Sequence, residues 1–328
     1  MSVYTPVERE SLLAFLQPYA LGDLLSYAGI AAGVENTNYF VTTSTGEYVL
    51  TLFEKLTAQQ LPFYLRLMQS LSTQGIPVPV PLFTVSGETL STLHGKPAAL
   101  FGKLPGNSIE TPNLQQCQVI GSQLARLHLA GHARPTLLLP ANGRGFPWWK
   151  QSATQLQEKL SLNEQQLLQE ELAFQSHYRL DDLPRGLIHA DLFRDNALFI
   201  DNQLSGILDL YTACEGNWLY DLAIVVIDWT SHQATLPEPE LSRTILESYS
   251  RIRPLTSLEQ GAWPVVLRQA ALRFWLSRLL DWHQPRQGSL GEARDPAVFA
   301  SRLAEFVKNE TYLRDLWPKG QNPMFSSR

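Results

Sequence analysis

His189-Ala190-Asp191-Leu192-Phe193-Arg194-Asp195-Asn196 is a polar run set between apolar, strand-like stretches. Leu187-Ile188 precedes it, and Ala197-Leu198-Phe199-Ile200 follows it. A turn at Asp201-Asn202 and the return Gly206-Ile207-Leu208 then end on Asp209. The pattern reads as strand, loop and hairpin. A loop leaving one strand presents Asp191 and Asn196 to one small volume. The hairpin brings Asp209 to that volume from the next strand. Two oxygen ligands plus nucleotide phosphates suit Mg2+, a hard ion that rarely has an all-protein cage. A further carboxylate, kept free of metal, can orient a hydroxyl nucleophile and accept its proton.

Upstream, the first hundred residues read as a small α+β unit. Leu12, Leu13, Phe15, Leu16 and Tyr19 give an apolar stripe to an opening helix expected from Val7 to Ala20. Strands are expected at Tyr27 to Ala32, Tyr39 to Thr43, Tyr48 to Phe53, Leu82 to Val85 and Ala98 to Leu104, rich in β-branched and aromatic residues. A helix from Ala58 to Gln74 lies among them and stops at Gly75. Lys103 to Asn107 reads as a connector. Beyond it the pattern is helical, at Leu114 to His128, at Gln151 to Tyr178, and from Tyr220 to about Trp317. The fold class expected is therefore α+β in two lobes, residues 1–103 and 104–328.

Composition narrows the function classes. In 328 residues, 17% are charged and 44% hydrophobic, which excludes a disordered chain. The formal net charge of −5 provides no general field for nucleic acid or an anionic membrane. No apolar run approaches the roughly 20 residues of a membrane helix. The start, MSVYTPVERE, lacks the basic and apolar regions of a secretory signal. Cys117 and Cys214 cannot form a disulfide framework and read as reduced thiols. A cytoplasmic protein with no nucleic-acid or membrane partner is expected; oligomeric state is left open, and a monomer is allowed.

The run from His189 to Asn196, with Asp209 at the end of a hairpin, resembles the catalytic and metal loops of the kinase fold in its small-molecule branch. Carried over, Asp191 is the catalytic base, and Asn196 and Asp209 are the metal ligands. His189 is structural under the loop, and Asp221, in Tyr220-Asp221-Leu222-Ala223, matches a buried Asp that pins it. Arg194 sits within the loop, where a cation can reach the transferring phosphoryl group. The resemblance implies ATP and Mg2+ as cofactors. It also assigns the loop at Gly33, Val34, Asn36 and Asn38 to the phosphates, and the backbone near Phe101 to Lys103 to adenine. The third strand departs from the pattern. Thr51 or Phe53 stands where kinases place a Lys, and Lys55 is the nearest cation, either a phosphate ligand or a solvated strand-end charge.

The chain is similar in particular to the kinase-fold homoserine kinases. The similarity lies in Gly33 to Tyr39, Tyr48 to Lys55, Leu208-Asp209-Leu210-Tyr211-Thr212-Ala213-Cys214 and Ala271 to Leu279. It implies phosphorylation of the L-homoserine hydroxyl by ATP, toward threonine. Such a substrate needs a cation for its carboxylate and an anion for its ammonium. Arg273 and Arg278 lie on an apolar helix, but five positions at about 100° each set them roughly 140° apart, so only one faces a pocket. Arg278 also has an i,i+3 partner in Asp281. Glu215 is either the ammonium ligand or a surface turn acid. Trp218 and Trp282 keep choline-type substrates open, and aminoglycoside or methylthioribose substrates belong to the same fold. Non-catalytic nucleotide binding is the alternative outside catalysis.

Overall fold

A computed structural model describes residues 4–30, 35–132, 138–231, 235–284 and 294–318. The described residues form two compact units, 4–105 and 106–284 together with 294–318.

The first unit begins with α1 (Arg9–Leu16), followed by β1 (Leu24–Gly29), β2 (Thr37–Thr43), β3 (Gly46–Leu52), α2 (Leu61–Thr73), β4 (Ser91–Leu93) and β5 (Lys96–Gly102). The strands pair antiparallel in the order β1-β2-β3-β5-β4. Period-two alternation along β2 buries Thr37, Tyr39, Val41 and Thr43. Tyr39 and Val41, with Leu12 of α1, Leu50, Leu52, Ala98 and Leu100, close an apolar core. The opening helix is shorter than its apolar stripe. Pro18 lacks an amide N–H, so the chain tightens into a 3-10 turn at Gln17–Tyr19 and leaves it through a left-handed Ala20. Leu82 to Val85 does not form a named strand; Leu82 N–H donates to Leu100 O at 2.8 Å and Pro81 bridges Phe101. Pro77, Pro79 and Pro81 remove the donors a longer ladder needs.

The second unit runs α3 (Leu114–His132), α4 (Phe146–Leu156), α5 (Leu162–Ser176), β6 (Arg185–Ile188), β7 (Ala197–Ile200), β8 (Gln203–Ile207), β9 (Cys214–Asn217), α6 (Trp218–Thr230), α7 (Pro239–Ile252), α8 (Ser257–His283), α9 (Ala297–Lys308) and α10 (Glu310–Asp315). The single helix expected from Gln151 to Tyr178 is two. A 3-10 turn at Gln157–Lys159 ends the first, and the Ser161–Glu164 capping box starts the second. Strand β9 pairs with β6, although its sequence, Cys-Glu-Gly-Asn, has little strand propensity. Every residue of α6 is buried, so the run Ala223 to Ile227 is the centre of an internal helix. No helix among the described residues is long and apolar enough to cross a membrane. Cys117 and Cys214 are buried free thiols.

Helices α3 and α7 meet closely at Gly121, where an added Cβ would run into the Ile245 carbonyl and the Ser248 hydroxyl. Gly121→Val is expected to cost about 1–3 kcal/mol of stability through overpacking. Urea denaturation checks this; an unchanged midpoint would show that the helix pair can part without loss.

Candidate active site

The loop after β6 leaves regular structure at His189, and its amides need other partners. Asp221, at the start of α6, supplies them. Its Oδ2 accepts the His189 N–H and its Oδ1 accepts the Ala190 N–H, each at 2.8 Å. Ala190 is held at φ 65°, a left-handed conformation unusual for a residue with a Cβ.

Behind Asp221 lies a buried relay. His128 Nε2 is 3.0 Å from Asp221 Oδ2, and His128 Nδ1 is 2.7 Å from the Tyr249 hydroxyl. Arg253 Nε donates to that hydroxyl at 2.9 Å, so the tyrosine proton is assigned to His128 Nδ1. His128 is then neutral and donates from Nε2. Burial pushes its pKa down, against the pull of Asp221. Burial also opposes charge on Asp221, but the hydrogen bonds from His128 and His189 outweigh it and hold the carboxyl below the usual range.

Three further bonds join the two loops. His189 Nε2 donates to Leu208 O at 2.8 Å, Leu208 N–H donates to Asn196 O at 2.8 Å, and the Thr212 hydroxyl donates to His189 O at 2.8 Å. Asp191 and Asn196 are thereby fixed relative to Asp209, itself at φ 57°. Leu192 and Phe193 are buried between them, with the Phe193 ring 4.4 Å from that of Phe274. Asn196 Nδ2 donates to Asp191 O at 2.8 Å, which leaves its Oδ1 as the acceptor end of the amide. No group of three or more His, Cys, Asp or Glu residues able to hold a metal occurs among the described residues. An amide oxygen and one carboxylate suit a hard cation that keeps other oxygen ligands, not a caged transition metal.

Asp191 Oδ1 accepts from Arg273 Nη1 at 3.4 Å. Arg273, in α8, is buried, with its guanidinium 3.8 Å from the Phe274 ring centroid. Burial raises the Asp191 pKa, while Arg273, His189 and Arg144 draw it back in part. A raised carboxyl is a better proton acceptor than an ordinary one.

The other expected residues lie elsewhere. Arg194 donates to Asp228 Oδ2 from its backbone N–H at 2.8 Å and from Nε at 3.0 Å, and its Nη1 bonds Glu110 O. Arg278 bonds Asp295 O at 3.2 Å and lies over Phe299, and burial together with Arg294 and Arg302 lowers its pKa to about 10. Glu215 pairs with Arg185 at 3.1 Å, not with the residues around Asp191. In the first unit, the Thr51 hydroxyl donates to Asn38 Oδ1 at 2.7 Å, and Glu54 N–H donates to Asn36 Oδ1 at 3.4 Å. Lys55 pairs with Glu35 at 3.5 Å. Phe101 is buried in β5, while Lys103 bonds Glu47 at 3.1 Å. Gly33 and Val34 lie outside the described residues.

Sequence reading missed Asp228, Lys96 and Arg144. Asp228 carried a signal, since it repeats Asp221 seven residues on in an otherwise apolar helix. Lys96, ion-paired to Glu54 and donating to the Thr5 hydroxyl at 2.6 Å, carried none.

The phosphotransferase enzyme family model matches residues 26–255. The homoserine kinase of Janthinobacterium sp. (strain Marseille) is 43% identical over 316 residues, covering 95% of this chain and 98% of that protein. That of Methylobacillus flagellatus is 43% identical over 317 residues, covering 97% and 99%. Among solved structures, an amicoumacin kinase in complex with AMP-PNP, Ca2+ and Ami superposes with a TM-score of 0.68 at 16% identity, covering 95% of this chain and 96% of that one. The chain belongs to the phosphotransferase enzyme family. Its fold is the α+β, kinase-like one, and the relatives it resembles over nearly its whole length are homoserine kinases.

The relay predicts a pH dependence of stability. His128 has a depressed pKa when folded, so the unfolded chain takes up its proton first, near pH 6.5. Stability is full above that value and is lost as pH falls through it; Asp221, lowered from 3.8, adds a further loss at lower pH. Denaturation midpoints between pH 8 and 5 should show this. His128→Gln should reduce the slope by up to about 1.4 kcal/mol per pH unit. Asp221→Asn, which leaves the two loop amides short of a full acceptor, should cost about 3–5 kcal/mol.

Proposed function

We propose that the chain transfers the γ-phosphoryl group of ATP to the side-chain hydroxyl of L-homoserine, giving O-phospho-L-homoserine on the route to threonine. The observation that carries this reading is the near full-length similarity to homoserine kinases. It is supported by the tied arrangement of Asp191, Asn196 and Asp209.

In this reading residues 104–328 carry the chemistry and residues 1–103 the nucleotide, in the cytoplasm. Asp191 orients the hydroxyl and takes its proton as the oxygen attacks phosphorus. Asn196 Oδ1 and the Asp209 carboxylate would hold Mg2+. That ion supplies charge neutralisation at the phosphate oxygens. Asn36, Asn38 and Lys55 serve the phosphates, and the backbone from Phe101 to Lys103 serves adenine. Arg194 acts through the loop it braces, since Asp228 and Glu110 engage its guanidinium. Glu215 and Arg278 have partners away from Asp191 and leave the substrate carboxylate to Arg273.

The rival acceptors fit less well. Trp218 is buried and stacked on His128 at 5.6 Å, so it is not an open face for a quaternary ammonium. Glu305 and Glu310 pair with Lys308 and Arg314, as a solvated face does and an acidic pocket for a polycation does not.

An ADP-release assay should show saturable turnover with L-homoserine and none with choline, an aminoglycoside or methylthioribose. Turnover of choline alone would replace the acceptor, and turnover of none would overturn the transfer reaction. Asp191→Ala should lower kcat about 10²–10⁴-fold with little change in ATP affinity. Asp209→Ala should weaken Mg-ATP binding, measured by calorimetry; unchanged affinity would remove its metal role.

A further inference from the structure

Helix α6 holds the loop around Asp191 from both sides. Near the start of the helix, Asp221 accepts the His189 and Ala190 amides. Near its end, Trp229 Nε1 donates to Leu192 O at 3.2 Å. Asp228 Oδ2 accepts the Arg194 N–H at 2.8 Å and Arg194 Nε at 3.0 Å. Asp221 and Asp228 are two helical turns apart, about 10 Å along the axis, and share one face. Main-chain groups of His189, Ala190, Leu192 and Arg194 are thus all bound by side chains of one buried helix. Asp191 lies between them.

Asp228 is costly on local grounds. It is buried in the last turn of an apolar helix, where desolvation and the helix dipole both disfavour a carboxylate. What offsets that cost lies across the loop. Arg194 opens the 3-10 turn Arg194–Asn196, whose first amide has no partner within the turn. The residue before it, Phe193, has no side-chain acceptor for a cap. Asp228 supplies the cap from another element. The turn it caps carries Asn196, whose N–H donates to Phe193 O at 3.0 Å and whose Nδ2 donates to Asp191 O at 2.8 Å. The Arg194 guanidinium is held as well, by Asp228 and by Glu110 O.

We propose that Asp228 is a positioning residue. By capping the 194–196 turn through the Arg194 backbone N–H, it sets the places of Asn196 and Asp191. Phosphoryl transfer then depends on this backbone cap more than on the Arg194–Asp228 ion pair. The role rests on the homoserine reading for its reaction and on Asn196 as a metal ligand.

The test compares three variants. Asp228→Ala removes the cap, Asp228→Asn keeps an acceptor without the charge, and Arg194→Ala keeps the backbone N–H without the guanidinium. Asp228→Ala should lower kcat for L-homoserine about 10- to 100-fold with little change in KM. By calorimetry it should weaken ATP binding in the presence of Mg2+ and leave metal-free ATP binding unchanged, a split that a general loss of stability does not produce. Asp228→Asn should recover most of both losses, and Arg194→Ala should lose less than Asp228→Ala. A kcat for Asp228→Ala near that of the wild type would overturn the assignment. So would an equal loss of ATP affinity with and without Mg2+, or an Asp228→Asn variant as impaired as Asp228→Ala. Should Asp228→Ala not fold, Asp228→Asn decides: turnover near the wild type supports the cap, and a loss of about tenfold or more overturns it. Failure of the wild type to phosphorylate L-homoserine would instead overturn the homoserine reading, and the calorimetric comparison would still decide the role of Asp228.

Discussion

One buried carboxylate organises the second unit. Asp221 accepts the amides of His189 and Ala190, which no strand or helix claims. The left-handed Ala190 costs about 1–2 kcal/mol. Hydrogen bonds to a charged acceptor return about 1.5–3 kcal/mol each, so the bonded arrangement wins. The charge itself survives burial because His128, Tyr249, Arg253 and Glu259 continue the network to its end. A half-satisfied version would be less stable than an apolar core.

From that anchor the irregular segment is tied at several points along its length. His189 ties it to the hairpin, Asn196 folds back on Asp191, and Trp229 Nε1 holds Leu192 O at 3.2 Å. Leu192 and Phe193 sink between these polar links. The oxygen atoms of Asp191 and Asn196 are thus held in place by the fold, and such preorganisation is the main contribution a protein makes to phosphoryl transfer.

The arginines of this unit divide by their partners. Arg194 braces the loop through Asp228, Arg302 donates to Ser231 O at 2.7 Å, and Arg268 pairs with buried Glu171. These hold elements together. Arg273 differs because its carboxylate partner is the partly exposed Asp191, at a distance near the hydrogen-bond limit. A guanidinium in that position can serve a second carboxylate without leaving the first uncompensated.

That Asp191, Asn196, Asp209 and Asp221 form one cluster was legible because they lie within a short stretch whose local spacing sets their separation. From Asp191 through the hairpin to Asp221, the alternation of apolar strand and polar turn dictates which side chains share a volume. The helix phase between Arg273 and Arg278 was equally local, and it correctly required them to face apart. Helix ends at Pro18 and Ser161 were coded too, in proline chemistry and a capping box, although the apolar stripes ran past them. Other features had no local code. Strand β9 forms from Cys-Glu-Gly-Asn because β6 offers it an open edge. Glu215, Arg194 and Lys55 have partners set by folding. The sequence by itself determined that Asp191, Asn196, Asp209 and Asp221 come together, and in what order along the chain. The tertiary structure alone decided which cation stands beside Asp191, because that depends on contacts between segments far apart in the chain, where no periodicity acts.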